Sequence, residues 1–251
     1  MPTKKTPLWY VEVLRWTTFL PDIAEPKNLT SWWPRVSGLG KSDEAHRQPV
    51  GHSESGTIGQ DVLRLHWAPG RIDWILTRKE DESETARQLT PLEEARKRFR
   101  TFIDRWTKQK FVPAAKRLAL GCIIAHPVPT REDGYRFLAP FVSKFVKLSP
   151  NDSRDFFYQI NRPRSSKTKR GVEINRLSKW MTSQTQAMHI NITPAQVVSQ
   201  KGDQVATAAR AEFDVNTEGK LIGEFTPSQQ MALFDEFDKL IVELSTKGDI
   251  R

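Results

Sequence analysis

Apolar residues alternate with polar ones in short runs over much of the chain, and they recur every three or four positions in two longer stretches. That pattern predicts strands punctuated by helices. Leu8 to Trp16 is rich in Trp, Tyr, Val and Leu on both faces, as a strand buried on both sides requires. Leu63, Leu65 and Trp67 alternate with Arg64 and His66, and after Ala68-Pro69-Gly70 the alternation resumes at Ile72, Trp74 and Leu76. Two such runs joined by Pro-Gly predict a β-hairpin. A helix follows, with Thr90 at the N-cap, Pro91 at the first helical position and Glu93 completing a capping box. Its apolar stripe is Leu92, Ala95, Phe99, Phe102, Ile103 and Trp106, and Arg96, Lys97, Arg100, Arg105 and Lys108 occupy much of the remainder.

The second half repeats the order. Leu118 to Ala125 reads as a central strand and Tyr135 to Lys147 as a helix interrupted at Pro140. Phe156, Tyr158 and Ile160 alternate, as do Met188, Ile190 and Ile192, and Val205 to Val215 forms another strand with Arg210, Glu212 and Asp214 on its polar face. Thr226-Pro227-Ser228-Gln229 opens the last helix, whose stripe is Leu233, Phe234, Phe237, Leu240, Ile241 and Leu244. Each half therefore reads as strand, variable segment, strands, capped helix. The expected fold is α+β: a mostly antiparallel sheet with helices on one face, in a single domain 1–251 made of pseudo-repeats 1–111 and 112–251. Recurrence of a common helix start without duplication is the alternative. Pro21 to Thr57 is expected to wrap over the sheet, and Arg162 to Lys179 to form a basic loop or hairpin tip.

A chain of 251 residues with 37% hydrophobic and 27% charged residues has enough material for a packed core. The longest apolar run, Leu118 to Ala125, is far short of the roughly 20 residues of a membrane helix, and the N-terminus lacks the apolar segment of a secretory signal. A lone cysteine, Cys122, forms no internal disulfide, so a cytoplasmic protein with no membrane association is expected. Charge changes the picture more. The net charge is +9, but Arg96 to Arg117 holds nine Lys/Arg against one Asp, and Lys144 to Lys179 ten against three acids. Asp203 to Arg251, in contrast, holds ten acids against five bases. Such segregation points to a basic face that engages nucleic acid or an acidic protein partner as part of a complex, or else to ordinary solvated faces.

Several strings imitate catalytic motifs. Ser37-Gly38-Leu39-Gly40-Lys41-Ser42 ends like a phosphate-binding loop, but Arg35 holds a position that needs glycine, and no strand-to-helix frame is expected around Trp33-Pro34. Asp43-Glu44-Ala45-His46 follows it too closely to hold a metal against it, and Gly51-His52-Ser53-Glu54-Ser55 lacks the last glycine of a nucleophile elbow. Histidines 46, 52, 66, 126 and 189 have no metal-ligand spacing, His189 reads as a surface or structural residue, and Cys122 reads as an inert buried thiol. Asp203 with Glu218-Gly219-Lys220 is the one arrangement resembling a metal-dependent nuclease, and a turn explains it better. No catalytic residue, metal ligand or cofactor is assigned. The binding signal is Arg162-Pro163-Arg164-Ser165-Ser166-Lys167-Thr168-Lys169-Arg170, five positive charges in nine residues, with Tyr158 before it and Trp180 after it. Cations at this density contact phosphates and flanking aromatics stack on bases. The expected nucleic-acid-binding residues are Arg162, Arg164, Lys167, Lys169 and Arg170, with Arg96, Arg100, Arg105 and Lys108 from the neighbouring helix and Trp180 for stacking.

The order of Arg117-Leu118-Ala119-Leu120 after a capped helix, then Ala211-Glu212-Phe213-Asp214-Val215 before a final Thr-Pro-opened helix, resembles a family of sporadically distributed bacterial proteins of unknown function. The likeness covers most of the chain, although Trp32-Trp33 and the 162–170 tract lie outside its pattern. It implies an accessory role in a defence system or mobile cassette and implies no catalytic residues. The expected function is a non-enzymatic accessory binding protein. A protein-neutralising or assembly factor and a cryptic metal-dependent nuclease are the alternatives.

Overall fold

A computed structural model describes residues 8–23, 26, 29–79, 90–142, 146–193, 196–219 and 223–249, with backbone alone described for 186–193 and 196–205. In chain order its first half contains β1 (Tyr10–Phe19), α1 (Trp32–Ser37), β2 (Glu44–Gln48), β3 (Gly51–Ile58), β4 (Asp61–Ala68), β5 (Arg71–Arg78) and α2 (Leu92–Thr107). The second half contains β6 (Arg117–Val128), α3 (Arg131–Leu138), β7 (Phe157–Asn161), β8 (Arg164–Ser165), β9 (Glu173–Thr193), β10 (Gln196–Thr217) and α4 (Pro227–Lys247).

β1 is not buried on both sides as expected, since Arg15 is exposed and Glu12 and Val13 are half-buried; it pairs with β6 at the centre of one antiparallel sheet whose order is β2-β3-β4-β5-β1-β6-β10-β9-β7, with β8 on β9. Reading outward from the central pair, the first half runs β1-β5-β4-β3-β2 and the second β6-β10-β9-β7, and a long helix follows each series in the chain. The fold is thus the expected α+β arrangement on a mostly antiparallel sheet. The β4–β5 hairpin turns at Pro69-Gly70, where Gly70 takes φ +74, a value that costs a side-chain-bearing residue energy.

Both long helices lie on the same face. The α2 stripe packs Phe99 against Phe234 of α4 and Trp106 against Trp74 of β5, while Trp16 of β1 meets Phe234 edge-on at 5.3 Å. Trp32 stands edge-on to Trp106 at 4.5 Å, and Trp180 stacks on Phe141 at 5.4 Å. Ring pairs in such geometries contribute about 0.5–1.5 kcal/mol each beyond the area they bury. All eight tryptophans of the chain are buried in this layer.

Four further expectations need correction. Thr90 does not cap α2: its hydroxyl donates to Asp61 at 3.0 Å, and Pro91 takes the cap position with no side-chain bond. Asp61 is also held by Arg98 at 2.5 Å, so the Thr90 hydroxyl and the helix meet on one carboxylate. The capping box does form at Thr226 and Gln229. Pro21 to Thr57 does not simply wrap over the sheet, since it contributes α1 and extends the edge with the β2–β3 hairpin. The helix expected from Tyr135 begins earlier, at Arg131 behind a Thr130 cap, and ends at Leu138. Pro140 then sits in a separate 3-10 turn, Ala139–Phe141. Finally, the alternating runs around 188–192 and 205–215 are parts of one hairpin of two very long strands, β9 and β10.

Candidate nucleic-acid interface

The basic tract lies against the last helix, and the structure divides its charges sharply. Arg162 is paired with Asp249, whose carboxylate also accepts from Tyr158, and a second guanidinium nitrogen of Arg162 reaches Asp249 at 2.9 Å. Arg164 meets Glu243 at 3.3 Å, and the deeply buried Arg176 reaches the same carboxylate at 3.4 Å. Burial pulls the Arg176 guanidinium below its ordinary range, with neighbouring Arg164 adding to the effect. For Asp249, burial pushes the carboxyl up, but hydrogen bonds from Arg162 and Tyr158 more than offset it and hold the group below the usual carboxylate range.

Helix α2 is neutralised in the same way. Arg96 forms a fork onto Asp238 with its Nε at 2.6 Å, and Arg100 a fork onto Asp235 with its Nε at 2.8 Å. Lys108 pairs with Asp104 one turn back at 2.7 Å, and Arg105 donates to the Val36 carbonyl at 3.3 Å. Charge segregation along the sequence is therefore largely an internal match: the acids of α4 lie between the basic helix α2 and the basic 162–170 segment. Trp180 is fully buried, opposite Tyr158 across β7 and β9 and edge-on to Phe213 at 5.2 Å, so its ring offers no face for a base.

What remains of the expected site is its tip. Ser166 Oγ donates to Glu236 at 2.6 Å, and the Lys167 and Thr168 amides donate to the same carboxylate at 2.8 and 3.2 Å. Ser166 Oγ in turn accepts from the Thr168 and Lys169 amides at 3.1 and 3.0 Å. Successive backbone N–H groups converging on a carboxylate form an anion nest. Burial raises the Glu236 carboxyl, yet the Ser166 hydroxyl and these amides outweigh it and hold the group below its ordinary range. The side chains of Lys167, Lys169 and Arg170 have no hydrogen bond or ion pair among the described residues. The residues that the sequence reading missed are Glu236, Glu243 and Asp249. Their signal was present in the acidic composition of the C-terminal part, opposite in sign to the tract.

The imitated motifs find ordinary explanations. Ser37 to Ser42 runs from α1 into β2, the reverse of the strand-to-helix frame that cradles phosphate. Lys41→Ala should leave any nucleotide affinity unchanged; Mg²⁺-dependent triphosphate binding that vanishes in this variant would overturn the assignment. Cys122 is buried in β6, where desolvation pushes the thiol well up and keeps it unreactive. No group of three or more His, Cys, Asp and Glu among the described residues could hold a metal ion. The side chains of His189 and Asp203, and all of Lys220, lie outside the described residues. No helix among the described residues is long and apolar enough to cross a membrane. No protein-family model matches the chain, and neither a curated protein nor a solved structure matches it.

Proposed function

We propose that the chain is a non-enzymatic accessory binding protein that engages nucleic acid through the tip of the 162–170 loop, as a cytoplasmic subunit of a defence or mobile-element system. One observation carries this reading. A buried carboxylate, Glu236, fixes the backbone of Ser166–Thr168, while the side chains of Lys167, Lys169 and Arg170 keep their charges unspent among the described residues. A loop already held in one conformation loses less entropy when it binds, so fixed cations bind phosphate better than the same cations on a floppy loop. Contacts of this kind position a nucleic acid and carry no sequence information, so weak sequence preference is expected.

A salt series on a fluorescent oligonucleotide tests the reading. Three free cations contribute about −2 to −3 to the slope of log affinity against log salt, since each neutralised phosphate adds about −0.7 to −0.9. The triple variant K167E/K169E/R170E should flatten the slope by that amount with an unchanged melting temperature, because exposed charges contribute little to folding. Binding that survives the three reversals would sink the tip as the site, and no binding even at low salt would sink the nucleic-acid reading and favour a protein partner.

A further inference from the structure

Phe111, in the turn after α2, adopts a backbone conformation that its side chain makes costly. Its φ is +65, in the left-handed region that glycine enters freely and a bulky residue rarely does. The ring returns little packing, for it is 63% exposed and makes no ring or cation–π contact among the described residues. Its neighbours hold the turn in place. Val112 is buried, and the Pro113 carbonyl accepts from Gln230 Nε2 at 2.8 Å. Ala115 exchanges backbone hydrogen bonds with Phe225 at 3.0 and 2.7 Å. Strain that the surroundings impose on an exposed aromatic residue calls for a use beyond packing.

Two lysines flank this ring in the chain. Lys110 and Lys116 are exposed, and their side chains have no hydrogen bond or ion pair among the described residues. An aromatic ring set among cations is the means by which a single strand is held without sequence readout: the ring stacks on a base while the cations follow the phosphates. The turn and the 162–170 tip are also tied to one helix. Gln230 holds the turn and Glu236 holds the tip, six residues or about 9 Å further along α4. Resting on the nucleic-acid reading above, we infer that the ligand is a single strand, that Phe111 stacks on one of its bases, and that Lys110 and Lys116 contact the adjoining phosphates. The strand passes from this ring along the first turns of α4 to Lys167, Lys169 and Arg170.

Anisotropy titrations of the full chain with a labelled oligothymidylate, an abasic strand of equal length and a duplex test the assignment. The oligothymidylate should bind more tightly than the duplex. Phe111→Ala should weaken it about tenfold, the effect of one lost base stack, with an unchanged salt slope and melting temperature. Phe111→Trp should keep the parent's affinity. The abasic strand offers no base, so Phe111→Ala and the parent should bind it alike. Equal oligothymidylate affinity in Phe111→Ala and the parent would overturn the inference, as would a preference for the duplex. An equal loss on both strands with a lowered melting temperature would assign the ring to the fold and overturn it too. Loss in Phe111→Ala with K167E/K169E/R170E unchanged would remove the tip from the site and leave Phe111 in it. The reverse pattern would leave the tip and strike Phe111, and no binding of any probe would end both readings.

Discussion

Gly248→Ala will lower the melting temperature by roughly 6–12 °C, the shift that corresponds to about 3 kcal/mol in a chain of this size. Gly248 sits just past α4 with φ +74 and ψ −152, a region that side-chain-bearing residues rarely enter. A Cβ there would lie 2.0 Å from the Phe141 carbonyl oxygen and 2.4 Å from the Phe141 Cα. These are backbone atoms, so relief requires the 3-10 turn Ala139–Phe141 or the end of α4 to move. The same contact carries the hydrogen bond from the Asp249 amide to the Phe141 carbonyl at 2.7 Å, which seats the Asp249 carboxylate between Arg162 and Tyr158. Asp249→Ala should then cost about 3–5 kcal/mol, because it leaves Arg162 beside the buried Arg176 with one fewer counter-charge. Urea melts of the two variants check both figures; a loss below about 1 kcal/mol in either would show that this end of the chain does not clamp the fold.

The pH dependence follows from the same groups. Asp249 and Glu236 are both held below their ordinary range in the folded chain. Each therefore contributes stability that is complete above its unfolded pKa, near ~4, and is lost as pH falls through the lower folded value. Stability measured from pH 6 to pH 3 should decline, and the decline should be shallower in Asp249→Asn than in the parent.

The sequence revealed the fold wherever the relevant physics is local. Alternation at Leu63–Trp67 and Ile72–Leu76 with Pro69-Gly70 between them leaves one arrangement of the chain, and the hairpin has it. Thr226 and Gln229 lie within reach of each other in any helix that starts there, so that cap was legible; the Thr90 hydroxyl is instead bonded to Asp61, 29 positions away in the chain, which local spacing does not show. The candidate site failed for the same reason. Charge runs are visible in sequence, but a run with a free face and a run matched to a distant helix look identical until the chain is folded. Arg96, Arg100, Arg162 and Arg164 belong to the second kind, and three side chains at the tip to the first. Trp180 follows the two-residue period of its strand onto the covered face, which could have been read had β9 been recognised as running from Glu173.

Glu236→Ala is the second large effect expected, and its sign on binding separates two roles for this carboxylate. Removing it strips the acceptor from the Ser166 hydroxyl and from two amides, at a cost of about 2–3 kcal/mol, since hydrogen bonds to a charged group are the stronger kind and the freed donors regain water only if the loop opens. Hydrogen exchange at the Lys167 and Thr168 amides should accelerate by at least tenfold, with Glu236→Gln intermediate because it retains one acceptor. By charge alone, deleting an anion beside Lys167, Lys169 and Arg170 should strengthen nucleic-acid binding. If the pin organises the tip, ordering the loop must instead be accomplished at binding, and affinity should fall several-fold at constant salt. Weaker binding with faster amide exchange is the expected pair of results. Tighter binding with faster exchange would mean that the carboxylate merely repels the phosphates, and that the fixed geometry of the tip has no part in recognition.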